Sequence, residues 1–337
     1  MKNLIRKKKS FIANPAGFFS LFYYWLGPVS VIAYIYAIYK TKWSLPIKDW
    51  VVLTLLLITF IYSSFNVDFL QSIMLYRFHW GFLFFYLFFR NKTHLFNVRH
   101  LVFLMLALIV IEIFFVNFII SADGLPNYPE KVKSPAHFSD TWQRAYSYGG
   151  NSSVTGVLFV AMLSLINPGI LLIFFSGVVI TMVGSGSGMV AYLFYFISKI
   201  KGRAKFIYIF LVVVLWFILG SNILLFYKMS PGYLLYLVEL KWSQVLLIYM
   251  DVPTIDRIFG WGFNKGGDFL WLHFISCHGY IGALIMIFFI FSHVNRINLF
   301  ALSIIIIMTS HYFVLFSLPG QLLTGYLFAM QNLKTIK

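Results

Sequence analysis

The chain has 337 residues, of which 61% are hydrophobic, 20% are aromatic and only 11% are charged. Soluble domains carry about 25% charged residues, so this composition excludes a water-soluble globular protein and indicates a multi-pass membrane protein. The net charge of +16 does not point to nucleic acid as a partner, because cytoplasmic loops of membrane proteins are themselves rich in Lys and Arg. The single cysteine, Cys277, excludes an intramolecular disulfide and a metal cluster built from cysteines.

Apolar runs separated by polar breaks predict about 10 to 12 transmembrane helices. These runs lie near residues 17–39, 49–66, 68–89, 99–121, 152–167, 169–183, 187–200, 206–226, 280–294, 297–316 and 318–331. The first run is longer than a signal-peptide core and no small-residue cleavage site follows it, so we expect it to stay in the mature protein. The alternating pattern of a β-barrel is missing from the sequence. The expected fold is therefore all-α, as a single polytopic membrane domain over residues 1–337.

Basic residues cluster in four of the breaks and predict the orientation of the chain. They are Arg90, Lys92 and Arg99; Lys199, Lys201, Arg203 and Lys205; Arg296; and Lys334 and Lys337. All four groups fall on one side of the membrane, which the positive-inside rule makes cytoplasmic. Two long polar loops, residues 122–153 and 227–279, then face the outer side. The basic N-terminal tail conflicts with an odd number of spans, so either a segment is miscounted or the helix is broken around Gly27-Pro28.

The first long loop ends in a segment that can bind an anion. Arg144 is followed by Gly149, Gly150 and Asn151, where the next span begins. An Arg fork beside glycines that free backbone N–H groups is suited to a phosphate or diphosphate at the membrane surface. The alternative is an interfacial loop anchored by aromatic residues and Arg, without a ligand.

The second long loop brings more ionisable groups together. An amphipathic run at residues 233–248 is expected to lie along the bilayer surface, followed by a glycine-rich turn. The candidate groups after it are Arg257, Lys265, Asp268, His273 and His278. A His can take a proton from a sugar hydroxyl and an Arg can stabilise a departing diphosphate, so these groups suit a transferase. A solvated loop with unpaired histidines is the competing interpretation.

Ionisable residues inside the predicted spans also need partners, because a charge in hydrocarbon is costly. They are Asp68, Arg77, Glu112 and His311. His311, within Ser310-His311-Tyr312, is either a functional group or a buried His bonded to a neighbouring helix. The break Gly184–Gly188 suits close helix packing at least as well as phosphate binding. The sequence has no Walker A, HExxH or nucleophile-elbow pattern, which removes support for NTPase, zincin and hydrolase functions.

The loop layout and these motifs together resemble bacterial O-antigen and capsule repeat-unit polymerases (Wzy type) and, more distantly, O-antigen ligases. The matching segments are Arg144 with Gly149-Gly150-Asn151, the break Gly184–Gly188, Arg257 with Phe259-Gly260-Trp261-Gly262-Phe263, His278-Gly279-Tyr280-Ile281-Gly282-Ala283, the opening 14–25 and Ser310-His311-Tyr312. The likeness covers most of the chain in layout and about 40 residues in motif. One departure is the absence of an Arg in Ser185-Gly186-Ser187, where related enzymes often carry Ser-Arg.

The resemblance implies a GT-C-like glycosyltransferase of the bacterial inner membrane, with its active loops on the outer side. Such an enzyme moves the growing glycan from undecaprenyl diphosphate to another lipid-linked repeat unit and needs neither a cofactor nor a metal. Arg144 and Arg257 would hold the diphosphate, and His273 or His278 would orient or deprotonate the acceptor hydroxyl. The remaining candidates for substrate contact are Asn151, Lys265, Asp268 and His311. Lipid-linked oligosaccharide, the bilayer and a chain-length regulator are the implied partners.

Two other functions remain open at this point. An O-antigen ligase would use the same donor but a lipid A core acceptor. A lipid-linked oligosaccharide flippase or another transporter would be expected to show internal symmetry and charged or broken helices near the membrane midplane. The concentration of polar groups in two loops on one face favours a reaction completed on that face.

Overall fold

The computed structural model describes residues 14–43, 45–90, 97–119, 135–136, 139–200, 253–260 and 270–330, together with 202, 206–207, 209–211, 214, 232, 235–236 and 238–243. It divides the chain into two compact units, one formed by residues 1–97 and 241–337 and the other by residues 98–240. The described part is mainly helical, which confirms the expected helical class. Besides the helices, the first long loop contains a short antiparallel hairpin of β1 (Pro135–Ala136) and β2 (Ser139–Gln143).

The helices are numbered in chain order. They are α1 (Pro15–Leu21), α2 (Tyr23–Leu26), α3 (Ile32–Lys40), α4 (Ile47–Asn66), α5 (Phe69–Trp80), α6 (Phe82–Phe89), α7 (Val98–Phe114), α8 (Ser152–Leu163), α9 (Ile170–Met182), α10 (Gly186–Lys199), α11 (Thr254–Phe259), α12 (Leu270–His293), α13 (Leu299–Met308) and α14 (Leu318–Ala329). A 3₁₀ turn, Gly27–Val31, joins α2 to α3, and a π turn, Phe115–Ile119, extends α7.

Among the described residues, three helices are long and apolar enough to cross a membrane: α4, α12, and α7 with its π turn, Val98–Ile119. Two bent pairs raise this number to five if each pair is one span. One bends by 77° between Pro15–Leu21 and Tyr23–Lys40, and the other by 54° between Phe69–Trp80 and Phe82–Phe89. The first bend lies at Phe22, before Gly27-Pro28, where the sequence predicted a break and the structure has the 3₁₀ turn. The count of about 10 to 12 spans stays a prediction.

Large apolar side chains point outward from these helices while polar ones are buried. Phe65 and Leu57 of α4, for example, are 84% and 56% exposed, whereas Thr59 of the same helix is fully buried and donates to the Leu56 carbonyl. Water would disfavour such an arrangement, whereas lipid tails solvate exposed apolar groups and leave polar groups to find partners inside. The pattern agrees with a membrane protein.

In the first unit, α6 packs closely against α14. A Cβ on Gly325 would lie 2.6 Å from the carbonyl oxygen of Phe82, so only glycine permits this approach. Fully buried Phe82 and Phe289 contact Phe328 around the same interface. These contacts fix the position of the bent pair α5–α6 within the unit.

Gln321 on α14 holds the bend between α5 and α6. The two N–H groups of its side-chain nitrogen are shared among three carbonyl oxygens, those of Arg77 at 3.2 Å, Phe78 at 2.6 Å and Phe316 at 2.9 Å, and its oxygen accepts from the Tyr34 hydroxyl. The Arg77 carbonyl also accepts from the N–H of Gly81 at 3.0 Å, whereas the Phe78 carbonyl lies at the helix end, where backbone oxygens need partners from outside the helix.

Replacing Gln321 by Leu is expected to lower the free energy of unfolding by about 1 to 3 kcal/mol, because buried carbonyl groups would lose their donor. The melting temperature in detergent measures this loss. Thr324→Val on the same helix is the matched control, since the buried Thr324 hydroxyl has no hydrogen-bond partner in the described part of the chain. Equal melting temperatures for Gln321→Leu and Thr324→Val would contradict this role.

In the second unit, α8 is buried along its whole length and packs against α7 and α10. Gly156 and Gly188 meet face to face, since a Cβ on Gly156 would lie 2.9 Å from the Cα of Gly188. Ser185 caps α10 by accepting from the N–H of Gly188 and donates to the hydroxyl of Ser153. The structure thus uses the break at Gly184–Gly188 for helix packing.

Candidate functional site

Three buried histidines from α5 and α12, His79, His273 and His278, form a hydrogen-bonded chain that we call the histidine trio. Nε2 of His79 lies 2.9 Å from Nδ1 of His273, and Nδ1 of His79 lies 2.9 Å from Nε2 of His278. His79 and His278 are fully buried, and His273 is 5% exposed. An ionisable cluster inside membrane helices is costly to maintain, which makes it a candidate for function.

The histidine trio is enclosed by aromatic rings. Tyr76 meets His278 edge to face at a centroid distance of 4.5 Å, and Phe316 meets His79 in the same way at 4.9 Å. The ring of Phe274 lies 4.9 Å from that of His278. Such walls keep the local dielectric low, and hydrogen bonds within the trio are strengthened as a result.

A backbone contact between two glycines brings α11 against the same part of α12. Gly279 has φ 62° and ψ −169°, which breaks the helical geometry of α12 directly after His278. A Cβ on Gly279 would collide with the carbonyl oxygen of Ile258, and one on Gly260 would collide with that of Cys277. The helix that carries Arg257 is therefore seated against the helix break beside His278.

Contacts with α4 hold α11 in this place. The Tyr62 hydroxyl donates to Oδ1 of Asp256 at 2.9 Å, and the Tyr62 ring lies 4.7 Å from that of Phe259. Asp256 and Arg257 are neighbours on a helix of only six residues. The Asp256 carboxylate and the Phe259 ring thus attach the helix that carries Arg257 to α4.

The predicted position of His273 and His278 in a loop is wrong, because α12 begins at Leu270 and carries both residues. The amphipathic and glycine-rich stretch of that loop lies largely outside the described residues, as do Lys265 and Asp268. The sequence interpretation also treated the two histidines as alternatives, whereas His79 connects them. His79 was missed, although a His inside an apolar run is the same signal that pointed to Arg77.

The same neighbourhood also contains a possible set of metal ligands. The ligand atoms of His79, His273 and Cys277 all lie within 4.8 Å of one another. In a tetrahedral zinc site the bond lengths of 2.0 to 2.3 Å imply ligand separations of about 3.3 to 3.8 Å. The 2.9 Å hydrogen bond between His79 and His273 uses a lone pair that a metal would need. The geometry therefore favours a hydrogen-bonded cluster over a metal centre.

The second unit contains the other predicted anion-binding segment. Arg144 is half-buried and follows β2, and Asn151 caps the start of α8 by accepting from the N–H of Ser153 at 2.8 Å. Because capping uses the side-chain oxygen of Asn151, its contact with a substrate would have to use the amide nitrogen. Of the two polar groups of Asn151, only the amide nitrogen therefore remains for the predicted contact with a substrate.

The turn between Arg144 and Asn151 is tightly bonded. The Tyr148 hydroxyl donates to the Thr155 carbonyl at 2.8 Å, and the Thr155 hydroxyl donates to the Tyr146 carbonyl. Burial raises the pKa of Tyr148 well above its ordinary value, so the phenol stays neutral and keeps donating. Glu112 of α7 accepts from the N–H of Tyr146 at 3.0 Å, which is the partner that its position in an apolar span required. The turn gives Arg144 a rigid base.

The remaining predicted residues lie elsewhere. His311 is exposed in the turn after α13, where its ring meets that of Tyr312 edge to face, whereas the sequence predicted a helical span at this position. Asp68 is also outside a helix interior, because it caps α5 by accepting from the N–H groups of Leu70 and Gln71. Arg144 and Arg257 belong to different compact units, and their joint contact with one diphosphate stays a prediction.

Comparison of the chain with protein-family models, with curated proteins and with solved structures finds no match in any of the three. A functional interpretation therefore depends on the geometry of the site and on the motifs in the sequence.

Proposed function

We propose that this protein is a membrane glycosyltransferase that polymerises lipid-linked oligosaccharide repeat units into a surface polysaccharide, O-antigen or capsule. The observation that carries the proposal is the contact between Gly260 and Gly279. It seats the helix of Arg257 against a break in a membrane helix, directly beside His278. Broken helices with irregular backbone at membrane depth are tolerated where they line a site, and a proton acceptor beside a diphosphate-binding cation is what glycosyl transfer requires.

In the proposed reaction the growing glycan leaves undecaprenyl diphosphate and joins a hydroxyl on the terminal sugar of another lipid-linked repeat unit. Nδ1 of His278, which has no hydrogen-bond partner among the described residues, takes the proton of that hydroxyl. Arg257 stabilises the charge that develops on the departing diphosphate. Cleavage of the glycosyl–diphosphate bond supplies the driving force, so the scheme uses no cofactor.

His278 is fully covered by protein, so the acceptor reaches it only after a local opening. Enclosed active sites commonly work this way, because closure keeps competing water away from the reacting sugar. The proposal extends to a GT-C-like arrangement of about 10 to 12 spans in the bacterial inner membrane, with residues 122–153 and 227–279 towards the outer side. A chain-length regulator is the proposed protein partner.

A flippase and an O-antigen ligase are the two alternative functions that an experiment must separate from the polymerase. The bent pairs α1–α3 and α5–α6 are broken helices of the kind that transporters use at their binding sites, which favours a flippase as the second candidate. An O-antigen ligase would need the same Arg and His groups.

One reconstitution separates these functions. Lipid-linked repeat units extracted from cells that lack this protein are supplied to the purified protein in liposomes, with and without lipid A core. A polymerase is expected to yield a ladder of polymer lengths on a gel and to release undecaprenyl diphosphate without lipid A core. Product that requires lipid A core would identify a ligase instead. Movement of the intact lipid-linked unit between leaflets, without a new glycosidic bond, would identify a flippase.

A further inference from the structure

The histidine trio has a direction that follows from counting its protons. A neutral imidazole has one N–H and one lone pair, and both ring nitrogens of His79 take part in hydrogen bonds. His79 must therefore donate in one bond and accept in the other. Only two arrangements satisfy this condition, one running from His278 to His273 and one running the opposite way.

The unpartnered nitrogen of His278 selects between the two arrangements. If the chain ran from His273 to His278, Nδ1 of His278 would carry a buried N–H, and no described residue accepts from it. A buried N–H without an acceptor is rarer in native proteins than an under-used acceptor. The favoured arrangement therefore has His278 Nε2–H donating to His79 Nδ1, and His79 Nε2–H donating to His273 Nδ1. It leaves a lone pair on Nδ1 of His278.

We propose that the histidine trio is a proton relay that removes the proton of the acceptor hydroxyl from His278 through His79 to His273. The inference rests on the proposed function and adds His79 as a positioning residue for it. His278 is the receiving end because it has the available lone pair. His273 is the releasing end, since it is the only member of the trio with any exposed surface, and Nε2–H is then its remaining donor.

The transfer balances at every step. As the sugar oxygen bonds to the anomeric carbon of the donor, its proton moves to Nδ1 of His278, while the diphosphate leaves with the electron pair of the broken bond. The Nε2 proton of His278 moves to Nδ1 of His79, and the Nε2 proton of His79 moves to Nδ1 of His273. His273 is then an imidazolium and releases its Nε2 proton to solvent. While the site is open, each histidine gives its Nδ1 proton to water and takes a proton from water on Nε2, so the number of protons is unchanged and the starting arrangement is restored before the next transfer.

Three of the rings around the relay exchange no proton with it. The rings of Phe78, Phe274 and Phe316, which pack around the trio, neither accept nor donate a proton. One competing acceptor is the carbonyl oxygen of Leu75, one helical turn before His79, which also interacts with the His79 ring. If Nδ1 of His79 carried the proton and donated it to this carbonyl, the hydrogen bonds of the trio would run in the opposite direction, from His273 to His278. The tautomer of His79 therefore decides the direction.

The first test measures that tautomer and needs no substrate. Protein labelled with ¹⁵N-histidine is purified in detergent, and the signals are assigned with His79→Gln and His273→Gln. The expected spectrum shows His79 protonated on Nε2 and unprotonated on Nδ1, and His278 protonated on Nε2. A proton on Nδ1 of His79 would overturn the relay in this direction, whatever reaction the protein catalyses.

The second test measures the role of His79 during turnover. Polymerisation rates are compared in mixtures of H₂O and D₂O for the wild type, His79→Gln and His293→Gln. The wild type and His293→Gln should give a curved dependence on deuterium content, because several protons move together. His79→Gln should be slower, on the order of 10-fold, less than loss of the base itself, and its dependence should become linear. His293 is a suitable control because it is buried on the same helix and bonded to Tyr86 and to the Phe289 carbonyl.

The outcomes separate the relay from the proposed function. Suppose that the wild type makes polymer and that His79→Gln has the same rate and the same isotope dependence. This result would overturn the relay and leave the proposed polymerase function intact. If the wild type makes no polymer but the histidines show the expected tautomers, the polymerase function is rejected. The direction of the hydrogen bonds in the histidine trio is then still supported. If His79→Gln does not fold, His273→Gln interrupts the same chain at its other end and replaces it in the rate measurement.

Discussion

His278→Ala is expected to lower the rate of polymer formation by about 10² to 10⁴-fold, the range that a general base typically contributes. The loss should appear in kcat, since His278 is buried and contributes little to holding the lipid-linked substrates. The measurement is single-turnover formation of a dimer of repeat units by purified protein. His278→Gln should be nearly as slow, because an amide keeps a hydrogen bond to His79 but cannot accept a proton at neutral pH.

The control for this prediction removes a histidine that is structural. His293 lies at the other end of α12, where its ring bonds to the Tyr86 hydroxyl at 2.9 Å. Tyr86 in turn donates to Asp49, which pairs with Arg90 at 3.1 Å. His293→Gln should lower the melting temperature and keep the rate per folded molecule. Equal rates for His278→Ala and the wild type would remove His278 from the chemistry and direct attention to Asp268 and Glu239, two carboxylates of residues 227–279, as bases.

Arg257→Ala is expected to raise the activation free energy by about 2.7 to 4 kcal/mol, by comparison with removal of one oxyanion-hole donor. Arg257→Lys should be nearly as damaging, because a lysine is a point charge and cannot bind two phosphate oxygens as a planar fork. Arg144→Ala and Arg144→Lys should behave in the same way if both arginines meet the diphosphate. The measurement is the polymer yield and length on a gel at equal amounts of folded protein.

Arg296→Ala is the matched control for the arginine variants. Arg296 is exposed just after α12 and belongs to a break that is expected to be cytoplasmic, so it carries the same charge without access to the proposed site. Its polymer should match that of the wild type. An Arg257→Lys variant with wild-type polymer would mean that Arg257 supplies only charge, and unchanged polymer in Arg257→Ala would reduce it to an anchor of α11.

The candidate site was partly predictable because its motifs lie close together in the sequence. Arg257, the glycines after it and His278 lie within 22 positions, and glycine at 260 and 279 already indicates close approach of backbones. The loop assignment of His273 and His278 failed for a local reason. Trp271, His273, Ser276 and His278 make the start of α12 look polar, and hydropathy alone gives no weight to the aromatic enclosure that buries it.

His79 could not have been paired with its partners from sequence. It lies 194 positions before His273 and 199 before His278, and no local periodicity links residues so far apart. The pairing depends on the 54° bend between α5 and α6, which Gly81 permits because a Cβ there would collide with Oε1 of Gln321. Because the side chain that holds this bend belongs to α14, far away in the sequence, the residues around the bend could not predict it.

The sequence by itself determined that this is a helical membrane protein. The length of each apolar run and the charges beside it are local properties, and each segment meets the requirements of the bilayer separately. It also determined where arginine, histidine and glycine stand along the chain. Only the tertiary structure decided which of these groups meet. The absence of a Cβ at Gly260 and Gly279 lets α11 seat against the helix break, and packing around Gln321 turns His79 towards α12. Those contacts arise between elements distant in sequence, where packing and hydrogen-bond satisfaction outweigh any local preference.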